Sequence, residues 1–463
     1  MYKIHIMMSA IACLILSLFI DGCAQNKPWR GNNLPNCDYN KESNCTIEKH
    51  DGYDLGFIEF SERGNYFDEK SKDLVLNKIK SYSKESHGVT VIVFVHGWKH
   101  NASFDDENVK SFRKALAAIS KTNSKNRKVV GVYVGWRGLS FHGLQLENAT
   151  FWDRKAVAEE VGKGGVTDLF LELEQIDNNK TGNILTIVGH SFGGAIVLSA
   201  LDEILLERLI YKKNHPKQPL NYFGDGVILI NPAIEANQIF QLQEVAREID
   251  LNKKDNNKSK DPRKILHVIS TEADIPTKFV FPIGQFLGTA LTWNQENIKR
   301  EYDGHSYNLS EYDLDLTTVG NFKPFHTANL IENPEVNKQP VAGGNIKAVD
   351  GDQAGDWIYK DCCIKNIKIE ECNLSKNAKY HLPCTESFPI SFLYTAKSFI
   401  NGHNDIFNCN IVSYLLATVS EALFYQGKGN ASECTDKEDF NFTKCFDKHL
   451  KGLESASKKC DNK

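Results

Sequence analysis

A chain of 463 residues holds two or three average domains, or one domain with a large insertion. With 41% hydrophobic residues, 25% charged residues and a formal net charge of -4, it has the composition of an ordinary globular protein. That balance excludes a strongly basic surface and gives no reason to expect nucleic acid as a partner.

The chain opens MYKIHIMMSAIACLILSLFIDGC, with one basic residue, Lys3, ahead of an apolar run from Ile4 to Ile20. A short basic start, an apolar core and a small-residue end are the signature of an export signal, and the run is short for a transmembrane helix. Its end, Ile20-Asp21-Gly22-Cys23, resembles a bacterial lipobox, from which Asp21 departs. The expectation is therefore a signal peptide over 1–23, lipid on Cys23 and an exported chain anchored to a membrane of the cell envelope. The alternatives are an uncleaved anchor and a plain signal peptide. Ten cysteines follow Cys23, an even number that suits disulfides in an oxidising compartment, and none lies between Cys45 and Cys362. None has zinc spacing, so no metal is expected.

Residues 24–55 are polar and rich in Asn, Pro and Gly, and read as a tether. Strands are then predicted over 55–60, 89–95, 129–136, 183–189, 226–231 and 264–270, four of them near-continuous Val/Ile/Leu runs typical of parallel strands covered on both faces. Helical patterns over 108–121, 153–176 and 193–213 alternate with them, which implies an α/β fold with a mostly parallel sheet and helices on both faces. The rhythm breaks across 276–384, read as a lid or cap insertion stapled by some of Cys362, Cys363, Cys372 and Cys384. It returns over 390–424 as a last strand, a loop and a closing helix. The core thus comprises 56–275 and 385–425, followed by a Cys-containing tail over 426–463.

Chemistry concentrates at Gly189-His190-Ser191-Phe192-Gly193. This G-x-S-x-G follows an apolar strand and precedes a long helix, the setting that projects a serine hydroxyl on a sharp turn. Ser191 is the expected nucleophile. The oxyanion produced by its attack needs two backbone donors. Phe192 supplies one; the other comes from Trp98, with Gly97 as alternative, in the loop His96-Gly97-Trp98 at the end of a buried strand. His96 precedes the serine and is expected to brace that loop. An acid is sought after the next strands, at Asp274 or alternatively Glu272. The base is sought at His403, in NGHNDI between the last strand and helix, with His326 as runner-up. Trp136, Arg137 and Trp152 lie near element ends, where they can line a pocket or simply pack.

Together VFVHGWKHNA, GVYVGWRGLS, TFWDRKAVA, GHSFGGA, NPAIEA and NGHNDI resemble the α/β-hydrolase superfamily of the esterase/lipase type, and within it a bacterial lipoprotein branch. The resemblance covers about 55–275 and 385–425. It implies hydrolysis of a carboxylic ester, from a small-molecule or lipid substrate, through an acyl-serine and without a cofactor. Thioesterase, amidase or acyltransferase chemistry uses the same residues, and a non-catalytic envelope lipoprotein on the same scaffold is the reading from a different class.

Overall fold

The near-continuous Val/Ile/Leu runs have no polar face to offer water, so they can only be the middle of the molecule. In the computed structural model, which describes residues 26–34, 37–85, 87–122, 127–139, 151–178, 182–251, 263–283, 285, 297–302, 304–332, 346–348, 357–362, 382, 384, 388–408, 410–412, 414–415 and 418, that is where they lie. The strands are β1 (Ile47–Lys49), β2 (Tyr53–Glu59), β3 (Val89–Val95), β4 (Lys128–Gly135), β5 (Ile184–His190), β6 (Gly226–Ile230) and β7 (Leu266–Thr271). After them come β8 (Ile298–Tyr302), β9 (His305–Leu309), β10 (Ala328–Glu332), β11 (Ile346–Ala348), β12 (Trp357–Asp361) and β13 (Ile390–Thr395). One sheet runs in the order β1-β2-β4-β3-β5-β6-β7-β13-β10-β12-β11, and β8 and β9 form a separate hairpin. Within the large sheet β1/β2 and β10/β12 are antiparallel; all the other described pairs are parallel.

Helices cover both faces. The helices are α1 (Glu69–Ser83), α2 (Glu107–Thr122), α3 (Phe151–Val161), α4 (Thr167–Asn178), α5 (Phe192–Asn214), α6 (Phe240–Leu251) and the short α7 (Glu311–Leu316). Alternation along β3 divides the core: Val91, Val93 and Val95 pack with side chains of α1, α3, α4, α5 and α6, whereas Ile92 and Phe94 pack with Phe112 and Leu116 of α2 and with Ile411 and Leu415. Each such fully buried side chain contributes roughly 1.5–3 kcal/mol. The six strands predicted before residue 275 are β2 to β7, and the expected last strand is β13. The helices α1 and α6 were not among the predicted elements. Among the described residues no helix is long and apolar enough to cross a membrane; residues 1–23, including Cys23, lie outside them.

Two expected boundaries are corrected. The segment 276–384 is not all lid. Its strand β10 pairs in parallel with β13, and β12 and β11 extend the sheet further. These strands are three to five residues long and carry no extended apolar run, so period and composition do not mark them. Of the cysteines expected to staple the segment, Cys363 and Cys372 lie outside the described residues, while Cys384 is disulfide-bonded.

The second correction concerns 24–55, in which Arg30 and the described residues from 37 onward are built into the body rather than strung out as a tether. The main-chain N–H groups of Trp29 and Arg30 donate to the Glu59 carboxylate, and Cys37 and Cys45 form a disulfide. The Arg30 side chain is buried, with Nε donating to Ala102 O at 2.7 Å and Nη1 to Glu48 Oε1 at 2.9 Å. Arg113 of α2 grips the same Glu48 carboxylate with both Nε (2.8 Å) and Nη2 (2.7 Å). Polar composition concealed this because the segment is held by ion pairing and backbone bonds rather than by apolar periodicity. Burial alone would push the Glu48 carboxyl up, but hydrogen bonds from Arg113 and His50 and the charge of Arg30 outweigh it and hold the pKa at about 2.

Removing one partner of a buried pair leaves the other charges uncompensated, at a typical cost of about 3–5 kcal/mol. Glu48→Gln should therefore lower unfolding free energy by about 3 kcal/mol near neutral pH, measured by denaturant titration. A depressed carboxyl stabilises above its ordinary value of about 4.5 and ceases to do so as pH falls towards about 2. The gap between wild type and variant should narrow across that window; a gap independent of pH would contradict the assignment.

Candidate active site

Ser191 sits where β5 meets α5, and the approach of those two elements sets its conformation. A Cβ on Gly193 would lie 2.0 Å from Val95 O at the end of β3, so only glycine lets the first turn of α5 come this close. The turn forces Ser191 to φ 54°, ψ -120°, a region that costs a non-glycine residue roughly 1–3 kcal/mol. Its backbone is fixed on both sides: Ser191 N–H donates to Ile230 O at 3.2 Å, and Ser191 O accepts from Gly194 (3.0 Å) and Ala233 (3.2 Å). The candidate nucleophile thus stands at the N-terminus of a 23-residue helix, where negative charge is favoured.

Two residues far away in sequence meet it. His403 Nε2 is 2.9 Å from Ser191 Oγ, and His403 Nδ1 is 2.9 Å from Asp274 Oδ1. Asp274 is completely buried, and its Oδ1 also accepts the Thr277 N–H at 3.1 Å. An acidic partner at Nδ1 places the imidazole hydrogen there and leaves Nε2 as the acceptor facing the serine. The alternatives lie elsewhere. Glu272 is exposed and accepts the Lys397 N–H at 2.9 Å, bracing the end of β13. His326 is buried beside β10, stacked on Tyr394, with Nε2 donating to Gly320 O at 3.0 Å.

The loop after β3 is held beside the serine. A Cβ on Gly97 would lie 2.9 Å from Ser191 Cβ and 3.0 Å from His190 Nδ1. His96 is fully buried between the rings of Tyr133 and Trp136, and burial pushes its pKa down to about 4, which keeps it neutral. Its Nε2 accepts the Trp136 N–H at 3.1 Å, so Nδ1 carries the hydrogen and donates to Gly97 O at 2.9 Å. Trp136 returns a bond from its indole N–H to His96 O at 2.9 Å. In a trans peptide the carbonyl and the following N–H point in opposite directions, so pinning Gly97 O also fixes the aim of the Trp98 N–H.

Aromatic side chains pack beside this loop. The half-buried Trp98 ring meets Phe151 edge-on at 5.3 Å, and Phe151 packs against Phe192 (4.7 Å) and Phe281 (6.3 Å). The Trp98 indole N–H is buried with no hydrogen-bond partner among the described residues. Trp136 is a loop brace, Arg137 pairs with Glu62 at 2.9 Å, and the side chain of Trp152 lies outside the described residues. Among the described residues, no three His, Cys, Asp or Glu side chains converge as metal ligands. Sequence reasoning missed His190 and Asn231, whose side chains both reach the main-chain oxygen of His403. The signal for His190 was its place inside the serine motif; Asn231 offered only its position at a strand end before Pro232.

A family model described as an alpha/beta hydrolase of unknown function (DUF900) matches residues 69–274. No curated protein has a matching sequence. Among solved structures, the chain is similar to a phospholipase, PlaB from Legionella pneumophila in complex with thio-NAD, at 13% identity and a TM-score of 0.25. That alignment covers 80% of this chain and 63% of the other, so the chain spans less than two thirds of that protein's length.

A methyl group at residue 97 would press first on Ser191 and His190. Gly97→Ala should cut the rate at which Ser191 reacts with a fluorophosphonate by about 10-fold or more, because small misplacements at a reacting centre are costly. The thermal midpoint should move by only a few degrees. Unchanged labelling would show that this loop does not set the serine's surroundings.

Proposed function

From the match of residues 69–274 to an alpha/beta hydrolase family, we propose that the chain is a serine hydrolase cleaving carboxylic esters through an acyl-serine intermediate. The observation that carries the reading is the continuous relay from Ser191 Oγ to His403 Nε2 and from His403 Nδ1 to Asp274 Oδ1, with 2.9 Å at each step. His403 takes the hydroxyl proton as Ser191 Oγ bonds the ester carbonyl carbon, and the carbonyl oxygen becomes the oxyanion. The main-chain N–H groups of Phe192 and Trp98 donate hydrogen bonds to that oxyanion, aided by the N-terminus of α5. The bond to the alcohol oxygen breaks as His403 returns the proton to it. Water then repeats the sequence, releasing the acid and restoring Ser191. Asp274 keeps the imidazole in the tautomer each step needs. The aromatic wall of Trp98 and Phe151 favours an apolar acyl or alcohol group, whether from a small ester or a lipid.

Ser191→Ala should lower ester turnover by about 10⁴-fold or more and abolish fluorophosphonate labelling, with an unaltered circular dichroism spectrum. His403→Ala should approach the same loss because the two act as a unit, whereas His326→Ala should cost far less. A panel of esters of graded chain length would carry the assay. Full turnover by a folded Ser191→Ala protein would refute the reading.

The same enzyme is proposed to be exported and held at a membrane by lipid on Cys23, on the strength of its N-terminal sequence alone. Cys23→Ser should move the protein from the membrane to the soluble fraction and eliminate incorporation of a fatty-acid analogue. An unprocessed chain that stays membrane-bound would point to an uncleaved anchor instead.

A further inference from the structure

His403 arrives on a loop after β13, with Gly402 before it at φ 123°, and inside that loop the Asn401 N–H donates to Asp405 Oδ2 at 2.8 Å and Asn408 Nδ2 to Phe399 O at 2.9 Å. We propose that His190 and Asn231 clamp the main-chain carbonyl of His403 and act as positioning residues for the base, joining it directly to the turn that carries the nucleophile. This rests on the reading of Ser191, His403 and Asp274 given above.

Both donors converge on one atom. His190 Nε2 is 2.8 Å from His403 O, and Asn231 Nδ2 is 3.0 Å from the same oxygen and 3.4 Å from Gly402 O. The two side chains are essentially without solvent exposure, at 1% and 0%, so neither bond competes with water. His190 immediately precedes Ser191, although it lies 213 residues from His403 in sequence. Its ring must carry hydrogen on Nε2 to donate, and Nδ1 then remains an acceptor without a partner among the described residues. The ring lies 4.8 Å from that of His403, close enough for a positive charge on it to oppose imidazolium formation there. Burial beside His403 pushes the His190 pKa well down and keeps the ring neutral.

Asn231 connects a third element. It holds φ 46°, a conformation that asparagine tolerates better than most side chains. Its own N–H donates to Ile269 O at 2.8 Å, and its side-chain oxygen accepts the Thr271 N–H at 3.2 Å. Thr271 stands three residues before Asp274 and donates its hydroxyl to Ile400 O at 2.8 Å. One buried amide therefore ties the strand ends that precede the acid to the loop that delivers the base. Scaffold stability alone does not require two donors on the carbonyl of the residue that hydrogen-bonds both Ser191 and Asp274. Geometry at the reacting atoms does, since displacement by about 1 Å can cost about 10²-fold in rate.

The test uses the full chain and an ester substrate. Asn231→Asp preserves shape and the acceptor for Thr271 while replacing the donor, and His190→Leu removes the other donor at similar volume. Each should lower kcat by about 10- to 100-fold with KM changed less than about twofold, and His190→Gln, which restores an N–H, should recover most of what His190→Leu loses. In a His403→Ala background the same substitutions should cause no further loss, because a clamp has nothing left to position. Wild-type kcat in both folded variants would overturn the clamp, as would an equal further loss without His403. Ester turnover that survives Ser191→Ala would instead overturn the underlying hydrolase reading, so the two failures are distinguishable.

Discussion

The contact between the first turn of α5 and the end of β3 is the constraint from which the candidate site follows. Because Gly193 lies directly against Val95 O, the chain must reverse from strand to helix within a residue or two, and Ser191 absorbs the strain. Isolated strain of this kind relaxes, so it persists only where its surroundings over-determine it. Here they do: bonds to Ile230, Gly194 and Ala233 fix the serine's backbone, and the helix behind it is buried along much of its length. The loop after β3 is part of the same contact, since Gly97 must also lack a side chain to lie beside Ser191.

Buried imidazoles take up the task that charges cannot. His96 and His190 are both kept neutral by burial, and each uses a ring hydrogen to hold a main-chain carbonyl, Gly97 O in one case and His403 O in the other. An arginine or lysine would make the same bond more strongly, yet would bring a permanent charge next to a histidine that has to become cationic in the proposed reaction. Neutral donors order the loops without biasing the proton transfer. Arg30 and Arg113 pair instead with Glu48.

Much of the framework was legible because it is written in local pattern. The buried runs of β3, β5 and β6 carry their own evidence, and Gly189-His190-Ser191-Phe192-Gly193 announces its turn by standing between a strand and a helix. Asp274 and His403 could be sought only by position, yet the structure brings both to Ser191. What sequence could not display is bonding to backbone atoms. His190 and Asn231 act on a carbonyl 213 and 172 residues away, and a carbonyl is present at every residue, so no side-chain pattern marks the target. The segment around Arg30 was misread for a related reason: a single buried cation leaves no period in the sequence, and its surroundings of Asn, Pro and Gly read as loop.

The segment after Asp274 shows how an expected cover becomes part of the scaffold. Asp274 is oriented by the Thr277 N–H, and the Thr277 hydroxyl accepts a bond from Asn321, which also donates to Thr318. Thr318 in turn forms a bridge with Glu235, and its neighbours Thr317 and Val319 exchange main-chain bonds with Ala236 and Ile234 just beyond β6. The hairpin β8–β9 rests on α6 through Tyr302 and Glu244. Residues 317–321 thus work from outside the predicted core to hold its acid in place, and they do so by binding to the loop that follows Asn231. The supports of Asp274 and of His403 therefore converge at the end of β6, so both members of the relay take their placement from one strand terminus adjacent to the one that carries Ser191.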